Sequence, residues 1–452
     1  MTVLGPRLVV AGTRSGTGKT TVATGLMAAL RRRGLEVGSA KVGPDFIDPG
    51  YHSVATGRPG RNLDPWMSGM DLVPSLAARA AAGADLLVVE GVMGLFDGAA
   101  DGSASSTAEV AKRLDAPVVL VVDAASMSHS VAALVHGYRS FDPAVRVAGV
   151  ICNLVGSDHH ATMLQEALDG SGVPVYGMLH RDDAMVWRSR HLGLQPVAED
   201  PAGVRSSLDR LAAAISAALD LDGLVRLARS APTRRAGAPP LPRPAATGSP
   251  RVAVAAGPAF SFCYPDNLES LAAAGAEVVT FDPCSDEGLP PGTAAVVAGG
   301  GFPELYADDL AANGPMLASI GEHHRRGGVI WAECGGLLWL SRSLDGRPMA
   351  GVVDTEATMA GGRVLGYREA TSTCACPLGP AGTKVRGHEF HYSATRPAGD
   401  ALVLSGRRET SSGGFASTKL LASYLHVHLA AYPGLAEAFV GAAARAGAEG
   451  AK

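Results

Sequence analysis

The sequence predicts a chain of two successive α/β domains, and three observations carry that reading. Apolar runs of strand length alternate with amphipathic stretches of helix length. A strand, a glycine-rich turn and a helix opening follow one another at residues 8–21. A proline-rich break at 231–250 is followed by a fresh strand and a second α/β rhythm. With 452 residues, 47% of them hydrophobic, the chain is too long for one ordinary core. Domains are therefore expected at 1–230 and 251–440, joined by an extended linker at 231–250 in which repeated prolines leave no hydrophobic period.

The first element is Leu8-Val9-Val10-Ala11-Gly12-Thr13-Arg14-Ser15-Gly16-Thr17-Gly18-Lys19-Thr20-Thr21. Glycines let the backbone aim several N–H groups at a phosphate, the helix start adds its partial positive end, and Lys19 supplies a full charge. This is a variant P-loop, because the strict spacing asks for glycine where Thr13 stands, with Gly12 just before it. Gly12, Thr13, Gly16, Gly18, Lys19, Thr20 and Thr21 are the expected ATP-binding residues, and Thr20 is expected to hold Mg²⁺.

Further runs at Val37–Val42, Leu86–Glu90, Val118–Asp123, Val147–Asn153 and Val173–Met178 read as parallel strands with crossover helices such as Thr20–Arg33 and Ala161–Leu168. Ligands in such sheets bind at the carboxyl ends of the strands, so the polar residues just after each run are informative. The second run leads into Lys41-Val42-Gly43-Pro44-Asp45-Phe46-Ile47-Asp48-Pro49, a lysine and two carboxylates near the phosphate site. The third ends on Glu90, placed to bind Mg²⁺ directly or through water, and continues to Asp97. Any one of these aspartates is as readily a turn residue, but their joint placement at strand ends favours a site. Asn153 ends a later strand and carries an amide able to read an adenine edge. The basic run Arg188-Ser189-Arg190-His191-Leu192-Gly193-Leu194 fits either an acidic substrate or a solvated face.

After the linker, Arg251–Ala255 opens the second rhythm, with Glu277–Phe281, Ala294–Ala298 and Gly328–Ala332 following. Ala332-Glu333-Cys334-Gly335-Gly336 places a cysteine at a strand-to-helix turn, the nucleophile-elbow arrangement, where the helix start favours a thiolate. Upstream, Gly299-Gly300-Gly301 offers backbone N–H groups for an oxyanion hole, with Gly300 and Gly301 the residues chosen. Downstream, Ser423-Tyr424-Leu425-His426-Val427-His428 offers a histidine base. Taken singly, each is as readily a core residue; in this order they suit a glutamine-hydrolysing domain.

At this point a resemblance is clear. The N-terminal half resembles the dethiobiotin-synthetase-like P-loop amidoligases, and the C-terminal half resembles a class I glutamine amidotransferase. Gly-Pro-Asp45-Phe-Ile-Asp48-Pro, Glu90-Gly-Val-Met-Gly-Leu-Phe-Asp97-Gly, Arg190-His-Leu-Gly-Leu, Gly300-Gly-Phe-Pro-Glu, Ala332-Glu-Cys-Gly-Gly and Gly387-His-Glu-Phe-His-Tyr-Ser together resemble the cobyrinic and hydrogenobyrinic acid a,c-diamide synthase family of the cobalamin pathway. The resemblance implies ATP and Mg²⁺, a corrinoid tetrapyrrole acid and L-glutamine as ligands. It implies Cys334 as nucleophile, His426 as base, and Lys41, Asp45 and Asp48 as catalytic in the synthetase half, with Thr20, Asp48 and Glu90 around the metal. One departure stands out: many triad amidotransferases carry His-x-Glu, whereas this chain has His426-Val427-His428, which leaves the third triad member open.

The competing class is a P-loop ATPase switch fused to a ligand-binding domain without chemistry, which would hydrolyse no glutamine. CTP synthase, a nearer competitor, gives no reason for the corrinoid-type motifs. Six cysteines without paired Cys-x-x-Cys spacing argue against a zinc ribbon or a disulfide scaffold. A net charge of -4 gives no sign of nucleic-acid binding, and no apolar run reaches the ~20 residues of a membrane span. The N-terminus leads straight into the P-loop strand, so a cytoplasmic protein is expected. A homodimer is left open.

Overall fold

The computed structural model describes residues 2–98, 105–182, 189–190, 193–244, 248–360, 362–407 and 409–450. The chain divides into two compact units, Met1–Pro239 and Pro240–Lys452.

The first unit is built on seven parallel strands: β1 (Arg7–Gly12), β2 (Val37–Val42), β3 (Arg61–Leu63), β4 (Leu86–Gly94), β5 (Val118–Asp123), β6 (Val147–Val155) and β7 (Val175–His180). Their order in the sheet is β3-β2-β4-β1-β5-β6-β7. Strands β1 and β2 are buried at every residue, as befits a sheet covered on both faces by crossover helices. The order reverses beside β1, which places the ends of β1, β2 and β4 together at the point where ligands bind in such sheets. Helix α1 (Lys19–Arg32) leaves β1 through the glycine turn, and α2 (Ile47–Thr56) follows β2. Strand β3, three residues long, is too short a run to stand out in the sequence.

The segment expected as a linker from residue 231 behaves differently over its first part. Arg234–Ala236 pairs antiparallel with Thr2–Leu4, and the wholly buried Arg7 donates to the carbonyls of Pro232 at 2.8 Å, Leu114 at 2.6 Å and Gly5 at 2.7 Å. A buried guanidinium needs several acceptors, and a chain segment laid across it supplies one. Prolines cost this stretch its helical and central-strand options but not an edge pairing.

In the second unit β8 (Arg251–Ala255), β9 (Glu277–Phe281), β10 (Thr293–Ala298) and β11 (Val329–Glu333) form a parallel sheet. A second, antiparallel sheet contains β12 (Val364–Ser372), β13 (Lys384–His391), β14 (Leu402–Ser405) and β15 (Thr410–Gly413). Strands β16 (Phe415–Ser417) and β17 (Leu420–Ser423) return to the first sheet, giving β9-β8-β10-β11-β17-β16, while β18 (His426–Val427) closes the second as β15-β14-β12-β13-β18. The chain thus changes sheets between Ser423 and His426, a topology the alternation of apolar runs does not announce. Two cores flank the parallel sheet. One contains Trp331, Leu429 and Phe439, the other Phe260, Trp339 and Ile320. The closing helix runs Pro433–Gly450 and reaches past residue 440, the boundary expected from sequence. Among the described residues no helix is long and apolar enough to cross a membrane.

Candidate functional site

The P-loop folds as the glycine spacing requires. Gly16 and Gly18 take left-handed φ values of 80° and 82°, which let the chain turn into α1. A Cβ on Gly12 would stand 2.5 Å from Thr17 Oγ1, so Gly12 is the tight-approach glycine and Thr13 is free to differ. No side chain caps the start of α1 and no acidic residue lies in its first turn. These open N–H donors, with Lys19 as the first helical residue, form an anion cradle. Burial, and then the neighbouring Lys41, lower the Lys19 ammonium from its ordinary value. Thr21 is half-buried on the next position of the helix. Asn153 Nδ2 donates to Thr17 O at 2.9 Å, so this part of the expected adenine reader braces the loop. A side chain on Gly18 would collide with it.

Beside the cradle, the ends of β2 and β4 bring together groups 49 residues apart. Lys41 Nζ lies 2.7 Å from both Glu90 Oε1 and Asp48 Oδ2, and all three residues are buried. Thr20 Oγ1 donates to Glu90 Oε1 at 2.5 Å and to Asp48 Oδ2 at 3.4 Å. Glu90 Oε2 meets His52 Nε2 at 2.7 Å. Burial acts to protonate Glu90, but Lys41 and His52 outweigh it and hold the carboxyl well below the ordinary range. Burial likewise opposes charge on Lys41, and the Asp48 and Glu90 carboxylates more than restore it.

Asp45 is arranged otherwise. Its Oδ1 accepts the Ile47 amide at 2.9 Å, an Asx turn, and Asn62 Nδ2 donates to its carbonyl at 2.7 Å. Loss of solvation and the Asp48 charge push its carboxyl up to about 7. Asp48 thus pairs directly with Lys41, while Asp45 shapes the loop and also interacts with Asp48 and Lys41.

The donors fit Mg²⁺: two carboxylates that already hold a cation, Lys41, and one hydroxyl hydrogen-bonded to both of them. Among the described residues no cluster of three His, Cys, Asp or Glu suits a metal ion. A hard ion of this kind is held by one or two carboxylates together with substrate phosphates, rather than by an all-protein cage.

In the second unit the backbone of the elbow is strained. Cys334 sits at φ 48°, ψ −102° between β11 and the helix α3 (Gly335–Leu340), conformational space that side chains avoid unless the surroundings enforce it. Its N–H donates to Ser423 O at 2.7 Å, fixing the turn to β17. His426 hydrogen-bonds the Cys334 thiol, and its Nδ1 lies 3.3 Å from Glu333 Oε2. Burial works against charge on this imidazole, but the bonds to Cys334 and Glu333 raise it to about 10. The neighbouring His388 ring stacks on it at 5.0 Å and is held neutral by burial and by His426 itself.

The two glycines expected in the oxyanion turn divide their roles. Gly300 N–H already donates to Phe262 O at 3.1 Å, whereas Gly301 N–H has no backbone acceptor among the described residues and lies beside Gly335. What Gly300 provides is room: a Cβ there would stand 2.6 Å from His426 Cε1. Gly300→Ala is accordingly expected to displace the imidazole and lower glutamine turnover by about 10²-fold, the penalty of a misplacement near 1 Å. Steady-state glutaminase assays check it, and an unchanged kcat would refute the packing argument.

With both centres laid out, comparison with known proteins decides the family. Residues 8–192 match the CobQ/CobB/MinD/ParA nucleotide binding domain, and residues 251–433 match the CobB/CobQ-like glutamine amidotransferase domain. The chain is 50% identical to the hydrogenobyrinate a,c-diamide synthase of Streptomyces coelicolor, over 96% of this chain and 97% of that protein. It is 46% identical to the protein of the same name from Thermobifida fusca, over 97% and 96%. Identity to the cobyrinate a,c-diamide synthase of Syntrophotalea carbinolica is 45%, over 96% and 98%. The chain belongs to the a,c-diamide synthase family. It is thus an enzyme of the ligase class, with a nucleotide-binding domain followed by a glutamine amidotransferase domain.

Two residues of this a,c-diamide synthase family member escaped the sequence reading. His52 was visible in principle, since it stands one helical turn after Asp48 and so on the same face of α2. Glu333 was hidden by its position, because a carboxylate next to a nucleophile on a strand is expected on the opposite face. Of the basic run 188–194, residues 188, 191 and 192 lie outside the described residues.

Proposed function

We propose that the chain amidates the a- and c-acetate carboxylates of hydrogenobyrinic acid, with ATP and glutamine as co-substrates. The cobalt-free ring is chosen because the relatives at 50% and 46% identity described above carry that name; cobyrinic acid is the alternative substrate. The observation that carries the reading is one chain holding both an open P-loop with the Thr20, Asp48, Glu90 and Lys41 cluster and a strained Cys334 bonded to His426.

A carboxylate is a poor acyl donor, since resonance stabilises it and oxide is a bad leaving group. Its oxygen attacks the γ-phosphorus of ATP, ADP departs, and an acyl phosphate results. Lys19 and the open α1 amides bind the phosphates, and Lys41 stabilises charge on the transferred group. Thr20, Asp48 and Glu90 would hold Mg²⁺, which supplies charge neutralisation and a template for the phosphates. In the second unit the Cys334 thiolate attacks the glutamine amide carbon, Gly301 N–H steadies the oxyanion, and the His426 imidazolium gives its proton to the departing ammonia. Water then hydrolyses the γ-glutamyl thioester to glutamate. Ammonia attacks the acyl phosphate, and phosphate leaves as the amide forms.

The test is incubation of the purified chain with ATP, Mg²⁺, glutamine and either ring, followed by mass spectrometry for two carboxylate-to-amide conversions. Absence of conversion with both rings refutes the reading. Within it, Asp48→Asn is expected to lower the amidation kcat at least about 10²-fold with the KM for ATP within about threefold, because the lost charge faces the reacting phosphoryl group rather than the nucleoside. Equal losses in kcat and ATP affinity would make Asp48 a binding residue only.

A further inference from the structure

Where a class I triad would carry its orienting carboxylate, two residues after the base, this chain has His428. That residue is engaged elsewhere: its ring packs against Tyr264 at 4.9 Å and its Nε2 lies 3.9 Å from the buried Asp266. The carboxylate that does reach His426 comes from the residue immediately before the nucleophile. Glu333 is 5% exposed, at the end of β11 opposite Ser423 of the parallel strand β17. Its Oε2 faces His426 Nδ1 at 3.3 Å, and its Oε1 accepts the Val427 N–H at 3.0 Å. On the far side of Val427, Asn267 Nδ2 donates to the carbonyl at 2.7 Å, so both backbone groups of the residue after the base are fixed.

We propose that Glu333 is the third member of the triad, a positioning residue that holds His426 Nδ1–H so that Nε2 addresses the Cys334 thiol. The inference rests on reading the second unit as a glutaminase. A carboxylate with one oxygen on the imidazole and the other on the adjacent backbone fixes the ring's tautomer and its rotation together, the work done by the buried aspartate of a serine protease triad. Among the described residues, the other ionisable groups around the pair include the Cys263 thiol near Glu333, Tyr424 stacked on His391, and His388, His391 and Glu389 from β13, the last paired with Arg368 at 2.8 Å. Glu333 is the carboxylate hydrogen-bonded to His426, and Glu389 is committed to its arginine.

The test compares Glu333→Gln and Glu333→Asp with Cys334→Ala. Glu333→Gln is expected to lower kcat for glutamine hydrolysis by about 10²-fold or more with the glutamine KM within about threefold, since the amide offers the wrong partner to Nδ1–H. Glu333→Asp is expected to recover part of the loss. The pH profile of Cys334 alkylation by iodoacetamide, followed on the Cys334 peptide, is expected to move to higher pH in Glu333→Gln, which a purely structural role would not produce. A folded Glu333→Gln with wild-type kcat, or with kcat and KM impaired alike and an unmoved alkylation profile, overturns the proposal. Should the Gln variant not fold, a folded Glu333→Asp decides: wild-type kcat overturns the proposal, and a reduced kcat with a raised alkylation pH supports it. Glutamine hydrolysis surviving in Cys334→Ala would instead overturn the glutaminase reading itself.

Discussion

Cys334→Ala is expected to abolish amidation with glutamine and to leave amidation with ammonium salts at raised pH near the wild-type rate. Without the thiol no γ-glutamyl thioester forms. In the proposed mechanism, activation of the substrate carboxylate uses only the cradle and the Lys41 cluster, both in the first unit. Free ammonia can therefore substitute for the glutamine-derived molecule, and the rescue should grow with pH as the unprotonated fraction rises. His426→Ala is expected to behave in the same way, because its proton serves the departure of ammonia from glutamine and nothing in the synthetase chemistry. The measurement is product formation with each nitrogen donor, with ATP binding recorded as a control for folding. A folded, ATP-binding Cys334→Ala protein that cannot use ammonia would break the proposed division of labour, as would one that still uses glutamine.

The reverse pattern is expected for Lys19→Ala and Glu90→Gln. Each should lower amidation by at least about 10²-fold with either nitrogen donor, while glutamine hydrolysis stays measurable. Lys19 is the only lysine on the P-loop itself, and the loop's other cation, Arg14, is paired with Asp123. Glu90 is wholly buried and anchors Thr20, Lys41 and His52. Its replacement by glutamine leaves Lys41 with Asp48 as its remaining carboxylate partner, so a stability loss is expected as well; breaking a buried ion pair costs about 3–5 kcal/mol when no partner remains. Thermal unfolding separates the two effects: a variant folded at the assay temperature yet inactive with ammonia supports the ATP-site reading. Normal amidation by both variants would end it.

The N-terminal α/β rhythm, the P-loop and the cysteine elbow were all legible in the chain, because each is made of contiguous residues whose chemistry acts within one turn. Glycines at 16 and 18 had to permit positive φ, and they do. Partners met across the sheets could not be read this way. Lys41 meets Glu90 because β2 lies beside β4 in a register that pairs Lys41 with Glu90 itself, and parallel register depends on how whole strands and helices pack. His426 meets Glu333 across 93 residues because the chain leaves one sheet after Ser423 and joins another at His426. Motif spacing alone put the carboxylate after the base and found a histidine there. Tertiary structure brought it instead from β11 of the other sheet, since an imidazole can be oriented by any buried carboxylate within reach, whatever its place in the sequence.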